Sequence, residues 1–163
     1  MNLKITLTLF TSLLAFAAPF ANADQWVPFH SSGVAQLLDP PVPGGSVQAV
    51  DTGRASHLGN FTSVYDLEVS LEAGLLIFDG TFTSTVSNGD TITFDIHVVI
   101  SLTTWVFEGQ FTAIGGTGRF QGISGGLVTT SGVVDPSSGL FQYDSEGYLP
   151  SIGATKHGSK LRK

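Results

Sequence analysis

The chain has 163 residues, a formal net charge of −6, no cysteine, 20 glycines and 12 phenylalanines. That length suits one globular domain, and the missing cysteines exclude disulfides, thiolate nucleophiles, Cys-ligated zinc and iron–sulfur clusters. Arg54 and Arg119 are the only basic residues between Lys4 and Lys156, so nucleic acid is excluded as a partner, because phosphate binding needs a basic face.

The first residues read as a secretory leader. Lys4 supplies the positive end, Ile5 to Phe20 form an apolar run, and Ala21, Asn22 and Ala23 make an A-x-A cleavage site. A run of roughly 16 residues is short for the ~20 that cross a bilayer, so residues 1–23 are expected to be a signal peptide and the mature chain to have no membrane span. No Cys follows the site to carry a lipid anchor. The expected location is secreted or periplasmic. Residues 24–45 read as an irregular segment, because Pro28 and the run Asp39 to Gly45, with three prolines, break any regular pattern.

From residue 46 to 150 the pattern is β. Stretches rich in Thr, Val, Ile and Phe alternate apolar with polar and are separated by Gly, Asn and Asp. Phe61, Tyr65, Leu67, Val69 and Leu71 share one face, as do Phe78, Phe82 and Val86, then Ile92, Phe94, Ile96, Val98 and Ile100, then Trp105, Phe107, Phe111 and Ala113. Cross-strand partners share a face, which places a tight turn at Ala73-Gly74. It also predicts a three-residue loop Asn88-Gly89-Asp90 pairing Val86 with Ile92, and a four-residue connection Ser101–Thr104 pairing Ile100 with Trp105. Such a meander, with one aromatic face, is expected to close into an antiparallel up-and-down barrel of about eight strands. Gly80 and Gly109 fall beside the rings on that face, which suits either a packed barrel or one with a cavity. Residues 151–163 form a basic tail with Lys156, Lys160, Arg162 and Lys163.

On the polar face this register places Asp66, Thr81, His97 and Glu108 in one row. His97 and Glu108 are the candidate acid–base pair, since a carboxylate beside an imidazole orients the ring and favours its charged form; on a solvent-facing surface the same pair is a plain ion contact. Glu68 and Asp79 fall opposite each other, an arrangement that repulsion disfavours and that a Ca²⁺ ion shared with Asp66 would relieve. No recognised metal motif is present, and neither metal nor cofactor is assigned.

After the Trp105 strand comes Ile114-Gly115-Gly116-Thr117-Gly118-Arg119-Phe120-Gln121-Gly122-Ile123-Ser124-Gly125-Gly126. It is not a dinucleotide fingerprint, because Gly122 lies one residue too far from Gly118 and the flanks are β-like rather than strand and helix. It lacks the Lys and hydroxyl of a phosphate loop. The segment "GGTGRFQGISGG", with "FEGQFTAIGGTGRF" before it and "ASHLGNFT" upstream, resembles the allene oxide cyclase barrel-like proteins, which are related in fold to plant dirigent proteins. The resemblance spans roughly Gly53 to Val134. It implies a glycine turn formed by Gly115, Gly116, Gly118, Arg119, Phe120 and Gly122, with Phe120 and Ile123 inside the barrel and Arg119 meeting a carboxylate. It also implies a lumen that holds an apolar or phenolic molecule and steers its cyclisation or coupling.

Three functions follow. The leading one is non-catalytic binding of a small apolar or aromatic molecule, with Phe82, Phe94, Phe107 and Phe111 as lumen contacts. The second is a cyclase or isomerase acting on a hydrophobic substrate, although no position matches the acidic and Asn residues with which the plant cyclases hold a water. The third is a structural or surface-interaction module with a filled barrel. A monomer and a small homo-oligomer fit the sequence equally.

Overall fold

Alternation of apolar and polar side chains produces strands over nearly the whole of the described chain. The computed structural model describes residues 26–151, which form β1 (Trp26–Leu37), β2 (Ser46–Ala55), β3 (Gly59–Glu72), β4 (Leu75–Val86), β5 (Thr91–Ser101), β6 (Val106–Gly116), β7 (Gly125–Asp135) and β8 (Leu140–Pro150). A single 3-10 turn, Gly118–Phe120, interrupts the connection from β6 to β7. Each strand pairs antiparallel with the next, and β8 pairs with β1, so the sheet is a closed barrel. Closure leaves no long unpaired edge, and eight strands enclose a space that side chains can largely fill. Among the described residues no helix is long and apolar enough to cross a membrane. The expected leader, residues 1–23, and residues 152–163 of the basic tail lie outside the described residues.

The faces assigned from alternation are the observed ones. Phe61, Leu67, Val69, Phe78, Phe82, Val86, Ile92, Phe94, Ile96, Val98, Ile100, Phe107, Phe111 and Ala113 are buried inside, while Asp66, Glu68, Asp79, Asp95 and Glu108 are exposed outside. Leu71, expected on the inner face, reaches the barrel rim and is 49% exposed. The two-residue turn at Ala73-Gly74 also holds, with both residues at positive φ (48° and 81°) and Leu71 opposite Leu76. Two positive φ values match the right-handed strand twist.

Two registers differ from expectation, each by two residues. Val86 does not pair with Ile92; the last pair of the hairpin is Thr85 with Thr91, and Phe82 faces Phe94. The Val86 N–H donates to the Asp90 carbonyl, so the loop is tied one residue further in. Likewise Ile100 faces Phe107 rather than Trp105, and Ile96 faces Phe111. A slip of two keeps every side chain on its own face, so face matching, which forbids a slip of one, is silent here.

The segment expected to be irregular, residues 24–45, contains β1. This strand closes the barrel, pairing with β8 along Trp26–Gln36 and with β2 along Ser31–Leu37. Its inward residues are Phe29, Ser31, Gly33, Ala35 and Leu37, too small and polar to give an apolar alternation. Pro28 is tolerated because β2 begins its pairing only at Ser31, leaving Pro28 where one flank has no ladder partner. The carbonyl of Pro28 instead accepts from His57 Nε2 at 3.0 Å, which gives His57 a structural role at the positive-φ (64°) β2–β3 turn.

Candidate ligand site in the barrel lumen

The lumen is built by rings stacked across neighbouring strands. Tyr65, Phe82 and Phe94 occupy facing positions on β3, β4 and β5. Their ring centroids are 4.8 and 4.7 Å apart and nearly parallel, which is the spacing of the strands themselves. Phe111 meets Phe82 and Phe94 edge-on at 5.3 and 5.1 Å, the favoured geometry for aromatic quadrupoles. Phe107 tilts against Phe141 at 5.6 Å. All four phenylalanines expected in the lumen are there and line one cavity.

That cavity has a volume of about 80 Å³. At ~10–15 Å³ for each water-sized occupant, it admits roughly five to eight heavy atoms. Its walls are overwhelmingly apolar, but Ser31, Tyr65, Ser84, Thr130, Tyr143 and Ser145 supply hydroxyls. Ser145 Oγ donates to Thr130 Oγ1 at 3.0 Å, and Thr130 Oγ1 donates to the Asp144 carbonyl at 3.4 Å. Ser84 shares a hydrogen bond of 2.8 Å with Ser63.

Behind the two tyrosines sits Asp51, 3% exposed and the one buried carboxylate among the described residues. The hydroxyls of Tyr65 and Tyr143 both donate to its Oδ2, at 2.8 and 2.7 Å, while Oδ1 is buried with no hydrogen-bond partner. Burial first, and the adjacent Asp51 charge second, push both phenols well above their ordinary titration range. They therefore stay protonated and hold the carboxylate in place. Gly33 makes the Tyr143 contact possible: a Cβ there would stand 2.6 Å from the Tyr143 hydroxyl and 2.7 Å from the Thr52 carbonyl.

Asp51 and Tyr143 were not among the sequence candidates. The signal that would have found Asp51 is strand parity: Val47, Ala49, Asp51 and Ala55 are all buried at alternate positions, so a carboxylate within that run points inward.

The expected acid–base pair does not form. His97 faces Asp79 and Gln110, whereas Glu108 faces Val99 and Ser131, because β5 and β6 pair two residues out of the expected register. His97 Nδ1 bonds Asp79 Oδ1 at 2.6 Å, with both side chains about half exposed. Glu68 faces Asp79 as expected, and among the described residues no group of three or more His, Cys, Asp or Glu side chains is placed to hold a metal ion. Glu108 lies on the outside, in an open polar groove with Arg54 and Asp144.

The glycine-rich turn is structural. Phe120 and Ile123 are buried in the core, and Arg119 lies over the Phe120 ring at 4.7 Å, donating from Nη2 to the Leu58 carbonyl at 3.3 Å. Its carboxylate partner is Asp90, 4.0 Å from Nε and accepting from the Arg119 backbone N–H at 3.2 Å. Gly118 (φ 56°) lies so close to the same carboxylate that a Cβ would overlap it, whereas Gly115 has open space around it. No protein-family model matches the chain, and no curated protein aligns with it significantly.

Proposed function

We propose that this chain is a secreted β-barrel protein that binds a small apolar or aromatic molecule in its lumen without transforming it. The observation that carries the reading is the cavity walled by Phe82, Phe94, Phe107 and Phe111 with a few hydroxyls among them, the usual composition of a small-molecule site. The likeness of the Gly115–Gly126 segment to the allene oxide cyclase barrel-like proteins supports it, since that resemblance implies a lumen that holds an apolar or phenolic molecule. The test is saturation-transfer NMR with benzene, toluene and phenol. Transfer that disappears in Ala35→Leu, a substitution on the cavity wall, supports the reading; no transfer from any of the three overturns it and leaves a filled structural barrel.

Asp51 favours a second reading, a cyclase or isomerase acting on a hydrophobic substrate, because it is the one buried carboxylate among the described residues and a carboxylate can serve as an acid or base. Binding is preferred over it because Asp51 stands behind the phenols of Tyr65 and Tyr143 rather than on the cavity wall. Mass spectrometry and NMR of a bound molecule recovered after long incubation separate the two: an unchanged molecule supports binding, and an isomer supports catalysis.

A further inference from the structure

The proton inventory of the hydroxyl wall is one-sided. A phenol has one proton and, once that proton is given away, only acceptor capacity left. Tyr65 and Tyr143 both give theirs to Asp51, in hydrogen bonds that the carboxylate's charge strengthens. Ser145 gives its proton to Thr130, and Thr130 gives its own to the backbone of Asp144. Four of the six hydroxyls on the cavity wall thus offer lone pairs and no proton. Ser31 and Ser84 do not discriminate: Ser31 keeps a rotatable hydroxyl, and either hydroxyl of the Ser63–Ser84 bond can be the donor. Arg54 and Arg119, the two basic side chains among the described residues, are both on the outside, so nothing inside the barrel neutralises a bound anion.

We infer that the lumen selects its ligand by hydrogen-bond polarity, taking a compact apolar molecule that bears a hydroxyl donor and rejecting ketones and carboxylates of the same size. This rests on the lumen-binding reading above and narrows it to a ligand class. A ketone oxygen brought against the phenols of Tyr65 and Tyr143 loses its water without gaining a proton, and that unpaired burial is where discrimination between isosteres arises. A carboxylate adds repulsion from Asp51 at low dielectric. The barrel maintains the arrangement through the closely fitted Gly33, over which the Tyr143 hydroxyl reaches Asp51.

The test compares cyclohexanol, cyclohexanone and cyclobutanecarboxylate, each of about seven heavy atoms, by titration calorimetry and ligand-observed NMR on the intact protein at pH 7. Cyclohexanol is expected to bind about tenfold or more tighter than cyclohexanone, the scale set by leaving a buried polar group unpaired, and cyclobutanecarboxylate not at all. Equal affinities for the alcohol and the ketone, or a preference for the ketone, overturn the inference while leaving lumen binding intact. No binding of cyclohexanol together with no binding of benzene overturns both. A second measurement uses Asp51→Leu, which removes the acceptor and frees both phenol protons toward the cavity. The alcohol-to-ketone ratio then falls by about tenfold or inverts; a ratio unchanged in the folded variant overturns the inference. If that variant does not fold, the comparison on the unaltered protein decides alone.

Discussion

Asp51 and Tyr143 stand 92 residues apart in the chain, yet the Tyr143 hydroxyl donates to the Asp51 carboxylate at 2.7 Å. The contact spans β8, β1 and β2, and it exists because β1 closes the barrel and places a glycine, Gly33, opposite Tyr143. Enlarging that glycine should therefore act at a distance. Gly33→Ala is expected to displace the tyrosine from Asp51 and to lower stability by about 1–3 kcal/mol, the range for overpacking an interior, measured by urea denaturation with tyrosine fluorescence as a second readout. An unchanged midpoint would show that the ring has room to move.

The carboxylate and its two phenols should behave as a unit. Tyr65→Phe with Tyr143→Phe strands a buried carboxylate without donors and is expected to cost about 3–5 kcal/mol, as breaking a buried polar cluster does. Adding Asp51→Leu to that pair removes the stranded charge and should restore most of the loss, because an apolar replacement of a whole polar cluster is often neutral. Denaturation of the double and triple variants side by side checks this; a triple variant no more stable than the double contradicts it.

The same phenols set a limit at alkaline pH. Burial, and then the Asp51 charge, raise both folded-state titrations above the unfolded value of ~10. Above that pH the unfolded chain releases two protons that the folded chain keeps, so stability declines as pH rises, at up to about 2.7 kcal/mol per pH unit for the pair. Below pH ~9 these groups add no slope. Urea midpoints from pH 8 to 11 provide the check, and the decline should shrink when both tyrosines are replaced by Phe.

In the glycine-rich turn, Gly118 and Gly122 both have positive φ, 56° and 80°, but a Cβ at Gly118 meets the Asp90 carboxylate while one at Gly122 meets nothing within 4 Å. Gly122→Ala is expected to cost about 1 kcal/mol, from backbone strain alone. Gly118→Ala should cost clearly more, since it also displaces the carboxylate that holds Arg119. Equal losses would show that Asp90 yields freely.

On the outer face, His97 and Asp79 are bonded but about half exposed. Asp79→Asn is expected to change stability by less than about 1 kcal/mol, as exposed ion pairs do. A larger loss in thermal unfolding would mark the pair as more than a surface contact.

Much of the barrel was legible in the sequence because strand periodicity is local. Phe82, Phe94, Phe107 and Phe111 could be placed inside from their alternate neighbours alone, and the Ala73-Gly74 turn from matching the faces of the strands on either side of it. What alternation could not resolve was any shift that preserves the face, which is why Val86 was paired with Ile92 and why His97 was set beside Glu108 instead of Asp79. The strand β1 was hidden for a different reason: between Phe29 and Leu37 its inner face is Ser31, Gly33 and Ala35, too small and polar to show an apolar alternation.

By itself, then, the sequence determined most of the inward residues of β3 to β6 and that the sheet would close, since a period of two and a one-sided apolar face leave few other ways to bury so many rings. Only the tertiary structure decided which inward residues meet. Asp51, Tyr65 and Tyr143 come from three strands, and their convergence depends on barrel closure and on the register of β1 between β8 and β2. Hydrogen bonds of that kind are set by positions in space to within a fraction of an ångström, and no local pattern in the chain encodes them.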